Sequence, residues 1–344
     1  MYKIVKPFIF LSDPEKAHDF VIKFLQLPAV AELLKIICQP SKYNINTNLF
    51  GLNFTNPIGL AAGFDKNGEI INSLSSLGFG FIEIGTITLT AQQGNPKPRI
   101  FRLQQDQAII NRMGFNNKGV EEIKKNIKQS KKKTILGINI GKNRNTPNHK
   151  AVEDYLQIFK QTYNLGDYFV INVSSPNTPA LRDLQAKKSL NNILSIIQNF
   201  NQSLTKPKPL LVKISPDLSF KEIDDILDVS LANKLSGIIA TNTTINKDFC
   251  FRTKSKFIIE SGGLSGKPLK NISTEIIKYI SKQTNNTLPI IGVGGIMSAY
   301  DALEKFEAGA SLIQIYTGLI YNGPCFVKHL KKFLNKNKIK HLNL

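Results

Sequence analysis

The 344-residue chain has no tryptophan, three cysteines and only six arginines. Cys38, Cys250 and Cys325 lie far apart in sequence, which excludes a disulfide framework or a CxxC metal site and points to a reducing compartment. His18, His149, His329 and His341 show no ligand spacing and join no carboxylate cluster, so no metal site is expected. No apolar run reaches the roughly 18 residues of a transmembrane helix. The apolar stretch 7–11 is too short for a signal peptide and runs into Ser-Asp-Pro-Glu rather than a small-residue cleavage site. The 23 glycines and 16 prolines show no period, which excludes a collagen-like repeat. Acids are scarce, 25 against 45 basic residues, and few fall where a glycosidase pair would need them. The resulting net charge of +20 is almost all lysine and suits anionic partners, but it is read here chiefly as a solvated lysine surface.

What is present divides the chain into 1–40 and 41–344. In the first part, Asp13-Pro14 reads as an N-cap with proline at the first helical position. Phe20, Val21, Phe24 and Leu25 form one apolar face, Pro28 breaks the helix, and Val30, Leu33, Leu34 and Ile37 form a second. The spacing predicts two short amphipathic helices, packed on the main domain or partly open to lipid or an apolar ligand. The second part holds eight short apolar runs, at 58–61, 81–85, 135–140, 168–173, 210–214, 237–241, 290–293 and 312–316. Helical stretches such as 120–128 and 189–200 separate them. This order predicts an α/β fold, a (β/α)8 TIM barrel with an N-terminal two-helix extension. A hairpin is expected at 43–55 and a solvated lysine-rich helix at 328–340.

Nearly every apolar run ends in Gly, Asn, Ser, Thr or Lys. In a (β/α)8 barrel the C-terminal strand ends carry the active site, so eight polar termini predict one composite site at one rim. The last two, Gly294-Gly295 and Tyr316-Thr317, fall where such barrels hold phosphate on small residues, and Ser265-Gly266 would add donors.

These clusters carry a resemblance over nearly the whole chain. LAAGFDKNG (60–68), GNPKPRIFRL (94–103), NRMGFNN (111–117), GINIGKN (137–143), NVSSPNTP (172–179), ATNTT (240–244), GGLSGKPL (262–269), IIGVGGI (290–296) and QIYTG (314–318) occur in the order found in dihydroorotate dehydrogenases. The NRMGFNN block and the helical extension resemble the quinone-dependent, membrane-associated class II. Class I enzymes lack the extension and place a cysteine base where this chain has Ser175.

The resemblance implies an FMN enzyme oxidising (S)-dihydroorotate to orotate in pyrimidine synthesis, with Ser175 as the base. It implies substrate contacts from Lys66, Asn111, Arg112, Met113, Gly114, Phe115, Asn172, Asn177, Asn242 and Thr243. It assigns FMN to Ala61, Ala62, Gly63, Phe64, Asp65, Thr86, Asn139, Asn172, Lys213, Thr241, Gly266, Gly295, Tyr316 and Thr317. Lys213 would stabilise the negative charge of reduced flavin. Phe20, Val21, Phe24, Val30, Leu33 and Leu34 would line a passage for a membrane quinone, with His18 and Arg102 as its polar members. A monomer on the cytoplasmic face of a bacterial inner membrane, in peripheral contact with lipid, is the corresponding expectation. The competing reading as a tRNA-modifying flavin barrel lacks its catalytic cysteine and RNA-binding domain. The lysine block 124–133 has no interleaved aromatics, so no nucleic-acid partner is expected.

Overall fold

The computed structural model describes residues 2–38, 45–131, 134–250 and 255–337. An antiparallel hairpin, β1 (Thr47–Leu49) and β2 (Leu52–Phe54), comes first among the strands. Then β3 (Ile58–Leu60), β4 (Phe81–Ile87), β5 (Ile100–Leu103), β6 (Ala108–Asn111), β7 (Ile135–Ile140), β8 (Tyr168–Asn172), β9 (Leu210–Ile214), β10 (Gly237–Ala240), β11 (Gly263–Gly266), β12 (Ile290–Val293) and β13 (Leu312–Ile315) follow. Eight of them close a barrel in the order β3-β4-β7-β8-β9-β10-β12-β13, and β13 pairs parallel to β3 with Ile313 opposite Ile58. These are the eight apolar runs of the sequence. Parallel strands covered on both faces read as continuous hydrophobic runs, which is why they were legible.

The barrel is filled rather than hollow. Phe81, Tyr168, Val170, Leu211, Ile239, Ile291 and Leu312 pack inside it. The hairpin plugs the N-terminal end, where the Phe54 ring meets Phe81 edge-on at 5.3 Å. The other strand faces pack on surrounding helices, among them Gly119–Gln129 and Lys187–Gln202. The C-terminal helix Phe326–Lys336 is less solvated than its lysines suggest. Phe326, Val327, Leu330 and Leu334 are buried, and Lys331 is only 9% exposed; residues 338–344 lie outside the described residues.

The sequence reading missed two features. β5, β6 and β11 form a small antiparallel sheet, with Gly263 opposite Asn111, that brings two distant segments to the rim. The extension has three helices rather than two: α1 (Tyr2–Leu11), α2 (Pro14–Leu25) and α3 (Pro28–Cys38). Pro7 lies inside α1 and removes one helical hydrogen bond. Tertiary packing offsets the loss: Phe10 is buried against Tyr321 at 5.3 Å, and the Tyr2 hydroxyl donates to Ile320 O at 2.5 Å.

α2 is capped as expected, Asp13 Oδ1 accepting from the N–H groups of Glu15 and Lys16 at 3.0 and 2.9 Å. A buried ion pair locks it to the barrel. Arg99 Nη2 and Nε donate to Glu15 Oε1 and Oε2 at 2.7 and 3.1 Å, while Arg99 Nη1 serves Gln93 O and Asn95 O. Burial raises the Glu15 pKa, but the hydrogen bonds from Arg99 and Lys97 outweigh it and hold the carboxyl below its usual range. A carboxylate depressed in the fold stabilises above its unfolded pKa of about 4.3 and ceases to do so as pH falls through the folded value. Breaking a buried pair costs about 3–5 kcal/mol. Limited proteolysis should therefore cut residues 2–38 of Glu15→Gln readily at neutral pH, and of the unaltered protein only in acid. Equal resistance of both at neutral pH would show that other contacts hold the extension.

Candidate active site

The strand ends converge on a cavity that is open to solvent at its mouth. Of the residues singled out from the sequence, it is lined by Ala61, Ala62, Gly63, Lys66, Thr86, Asn111, Met113, Gly114, Phe115, Asn172, Ser175, Asn177, Lys213, Thr241, Asn242, Thr243, Gly266, Gly295, Tyr316 and Thr317. Gln314, Asn116, Val293, Ile296 and Met297 also line it and were not anticipated.

The floor is a polar network inside the barrel. The Glu83 carboxylate, fully buried on β4, accepts from Asn139 Nδ2 at 2.8 Å, Gln314 Nε2 at 2.6 Å and the Tyr168 hydroxyl at 3.2 Å. Asn139 Oδ1 in turn accepts from Thr86 Oγ1 at 2.6 Å and Asn172 Nδ2 at 3.1 Å. Asn139 therefore lies under the cavity and shapes it through Thr86 and Asn172. Lys213, buried on β9, has an ammonium with no hydrogen-bond partner among the described residues. Burial lowers its pKa, and the charge of Glu83 partly offsets that.

One wall carries hydroxyls and amides. Ser175 Oγ accepts from the Asn177 N–H at 3.3 Å, and its own O–H donates to no protein group among the described residues. Asn177 Nδ2 reaches Asn111 Oδ1 at 3.2 Å, and Asn242 Nδ2 reaches Ser174 Oγ at 2.9 Å. Asn177 Oδ1 and Thr178 Oγ1 are buried without a protein partner, a shortage that a bound ligand would satisfy. Arg182 ties this wall together from behind. Its guanidinium donates to Ser174 O at 3.2 Å, Thr243 O at 3.0 Å and Asp217 Oδ2 at 2.8 Å. Nothing in the local sequence marked Arg182, because its partners lie on two other loops.

The opposite wall is built for an anion. The N–H groups of Gly294, Gly295 and Ile296 donate to no protein acceptor among the described residues, and Ser265 Oγ and Thr317 Oγ1 sit 2.8 Å apart beside them. Three consecutive free amides form an anion cradle. Gly295 has φ +72°, and a Cβ there would stand 2.3 Å from Lys270 Cα, so only glycine fits.

Three further residues expected at the rim lie elsewhere. Arg112 turns away from the cavity to Glu260 at 2.6 Å and to Pro98 O at 2.9 Å. Asp65 is a buried cap for the N–H groups of Glu69 and Ile70, at 2.8 and 3.0 Å; burial outweighs these bonds and raises it to about 6. Phe64 lines a second cavity, together with His18 and Arg102, the polar residues expected in the passage.

That second cavity lies between the extension and the barrel. Its walls are almost wholly apolar, from Phe20, Val21, Phe24 and Leu34 on one side to Ile100, Ile109, Leu319 and Ile320 on the other. Val30 is packed away and Leu33 faces solvent, so neither lines it. Arg102 Nη1 donates to Phe10 O at 3.2 Å and Ser12 O at 2.8 Å, pinning the end of α1. His18 stacks edge-on to Phe64 at 5.3 Å, and Phe64 to Tyr316 at 5.9 Å. Burial, with the nearby Lys66 charge, lowers His18 to about 3, so it is neutral at physiological pH. Lys66 and Tyr316 line both cavities, which therefore meet there.

Fold and site together define a (β/α)8-barrel enzyme with a polar, anion-cradling rim cavity beside an apolar one. The family model for dihydroorotate dehydrogenase matches residues 44–337. The chain is 50% identical over 342 residues to a dihydroorotate dehydrogenase (quinone) of Christiangramia forsetii, covering 98% of this chain and 99% of that one. It is 46% identical over 342 residues to one of Idiomarina loihiensis, covering 97% and 100%. Among solved structures, ligand-free dihydroorotate dehydrogenase from Eimeria tenella superposes with a TM-score of 0.87 at 39% identity, over 96% of this chain and 98% of that one. The ferulenol complex from the same organism gives 0.86 at 38% identity, over 96% and 94%. The chain belongs to the dihydroorotate dehydrogenase family.

Leaving the buried network one member short should cost about 1–3 kcal/mol for each group deprived of its partner. Asn139→Leu should accordingly lower the urea midpoint of unfolding. An unchanged midpoint would mean that the floor tolerates rearrangement.

Proposed function

We propose that the two cavities run the two halves of one reaction: dihydroorotate is oxidised to orotate at the rim, and a quinone is reduced between extension and barrel. The observation that carries this is the meeting of a polar and an apolar cavity at Lys66 and Tyr316. The residues fit FMN. The free amides of Gly294, Gly295 and Ile296, with Ser265, Gly266 and Thr317, suit its phosphate. The unpaired Lys213 ammonium suits the anionic edge of its reduced ring, with Ala61, Ala62, Gly63, Thr86, Asn172 and Thr241 around the ring itself. Asn139 acts through Thr86 and Asn172. When bound, FMN supplies a two-electron acceptor for the hydride from substrate C6.

The protein's own residues do the rest. Dihydroorotate is a cyclic ureide bearing a carboxylate. Asn111, Asn172, Asn177, Asn242 and Thr243 offer neutral donors and acceptors to the ureide. Lys66 answers the carboxylate; burial brings its ammonium down to about 8, still charged at neutral pH. Ser175 Oγ takes the C5 proton. A hydroxyl is a weak base at neutral pH, so its own proton must pass on as it accepts another. The Ser175 O–H has no competing protein acceptor, and Thr178, unpartnered nearby in sequence, or water receives it.

Ten of the sixteen exposed large hydrophobic side chains among the described residues lie in the extension, including Ile4, Phe8, Leu11, Phe20 and Ile36. Such a concentration suits a lipid surface from which an apolar quinone enters. No helix among the described residues is long and apolar enough to cross a membrane; the corresponding reading is a monomer in peripheral contact with the cytoplasmic side of a bacterial inner membrane.

Two experiments test the reading. In anaerobic mixing with dihydroorotate, Ser175→Ala should bleach the flavin about 10²–10⁴-fold more slowly while keeping its flavin; bleaching at the original rate would remove Ser175 from the chemistry. Val21→Trp, which fills the apolar cavity, should raise KM for a soluble quinone analogue and leave flavin bleaching unchanged. An unaltered KM would place quinone reduction elsewhere.

A further inference from the structure

The cysteines that look unrelated in sequence do not all stay apart. Cys38 ends α3, and Cys325 precedes helix Phe326–Lys336, yet their Sγ atoms lie 3.0 Å apart with no bond between them. Lys328 Nζ donates to Ile37 O at 2.8 Å and holds the last turn of α3 over the start of that helix. Cys38 is fully buried and Cys325 partly exposed. An S–S bond is about 2.05 Å long, so closure needs a shift of roughly 1 Å shared between two side chains. The pair also flanks the apolar cavity, since Leu34 lies one turn before Cys38 and Pro324 directly precedes Cys325.

We propose that Cys38 and Cys325 form a site of oxidative modification: a peroxide converts them to a disulfide that staples α3 to the barrel and restricts the apolar cavity, and a thiol reductant releases it. Cys325 is the thiol that the oxidant reaches. Its sulfur attacks hydrogen peroxide; an S–O bond forms, the O–O bond breaks, and the departing hydroxide leaves as water with the thiol proton, giving a sulfenic acid. Cys38 sulfur then attacks Cys325 Sγ; the S–S bond forms, the S–O bond breaks, and hydroxide leaves as a second water with the Cys38 proton. Two thiols and one peroxide become one disulfide and two waters. Burial keeps Cys38 from meeting the oxidant first, and its Sγ, 3.0 Å from Cys325 Sγ, is placed to attack the sulfenic sulfur once it forms. In a reducing compartment such a bond is transient and responsive rather than structural. Cys250 packs in a separate cluster with Phe257 and Ile258 and serves as the internal control.

The full-length, flavin-loaded protein would be treated with hydrogen peroxide, alkylated and mapped by mass spectrometry. The expected product is a Cys38–Cys325 linked peptide two hydrogens lighter than the separate pair, with Cys250 still alkylated. Limited proteolysis should then release residues 2–38 more slowly. Turnover with a quinone analogue should fall several-fold, flavin bleaching by dihydroorotate should persist, and dithiothreitol should restore turnover. Cys325→Ser and, separately, Cys38→Ala should abolish the link and the inhibition. Cys325 oxidised to sulfinic acid without a link would overturn the proposal, as would a link that leaves quinone turnover unchanged. The turnover readout rests on the quinone reading above. The linked peptide does not, so failure of one is distinguishable from failure of the other.

Discussion

Glu83 and Lys213 place a carboxylate and an ammonium inside the barrel, beneath the cavity. Taking such charges out of water costs several kcal/mol each unless the protein replaces the lost solvation. Glu83 receives three donors from three other strands: Asn139 on β7, Tyr168 on β8 and Gln314 on β13. Satisfying Glu83 fixes the Asn139 amide, and the fixed amide leaves its oxygen for Thr86 and Asn172. The rim groups are thus oriented from below, before any ligand arrives. Lys213 is treated differently. It receives the distant charge of Glu83 but no hydrogen bond, so a cation with open donors faces the cavity. A buried ammonium left in this state is a standing demand for an anionic partner.

The extension imposes a second constraint. It docks through a few specific anchors: Glu15 on Arg99, Arg102 on the end of α1, and Tyr2 on Ile320. Between these anchors the packing is incomplete, and the gap is the apolar cavity. A tightly packed helical cap would have buried that surface and left no room for an apolar molecule beside Tyr316. Neutral His18, stacked on Phe64, adds no charge to the walls, where Arg102 and Lys66 are the charged lining groups. Anchored edges around an unfilled centre give the chain both an exposed apolar surface and an apolar cavity beneath it.

Much of this was visible in the residues. The eight barrel strands stood out because each is buried on both faces, and the rim residues because they end those runs. Other parts were not legible, for specific reasons. β5, β6 and β11 are four residues each, and β11 pairs with β6 across more than 150 positions, so their pattern is too short to separate from loop. Pro7 hid α1, whose stability comes from Phe10 and Tyr2 rather than from propensity. Arg112 falls within a family motif but spends its charge on Glu260, and Asp65 spends its carboxylate on backbone; neither pairing shows in local sequence. Glu83 was findable. A single carboxylate inside the apolar run Phe81-Ile82-Glu83-Ile84 demands buried partners, and the polar residues Asn139, Tyr168 and Gln314 stand in the matching runs of three other strands.

A rim cavity and an apolar cavity that together serve one reaction require a quinone as its electron acceptor. The most direct measurement is dihydroorotate-dependent turnover of the detergent-purified, yellow protein with a quinone analogue, fumarate and NAD supplied in parallel. Reduction of the quinone alone is the result this structure predicts. Turnover with fumarate or NAD in place of quinone would contradict it and reduce the helical extension to a cap.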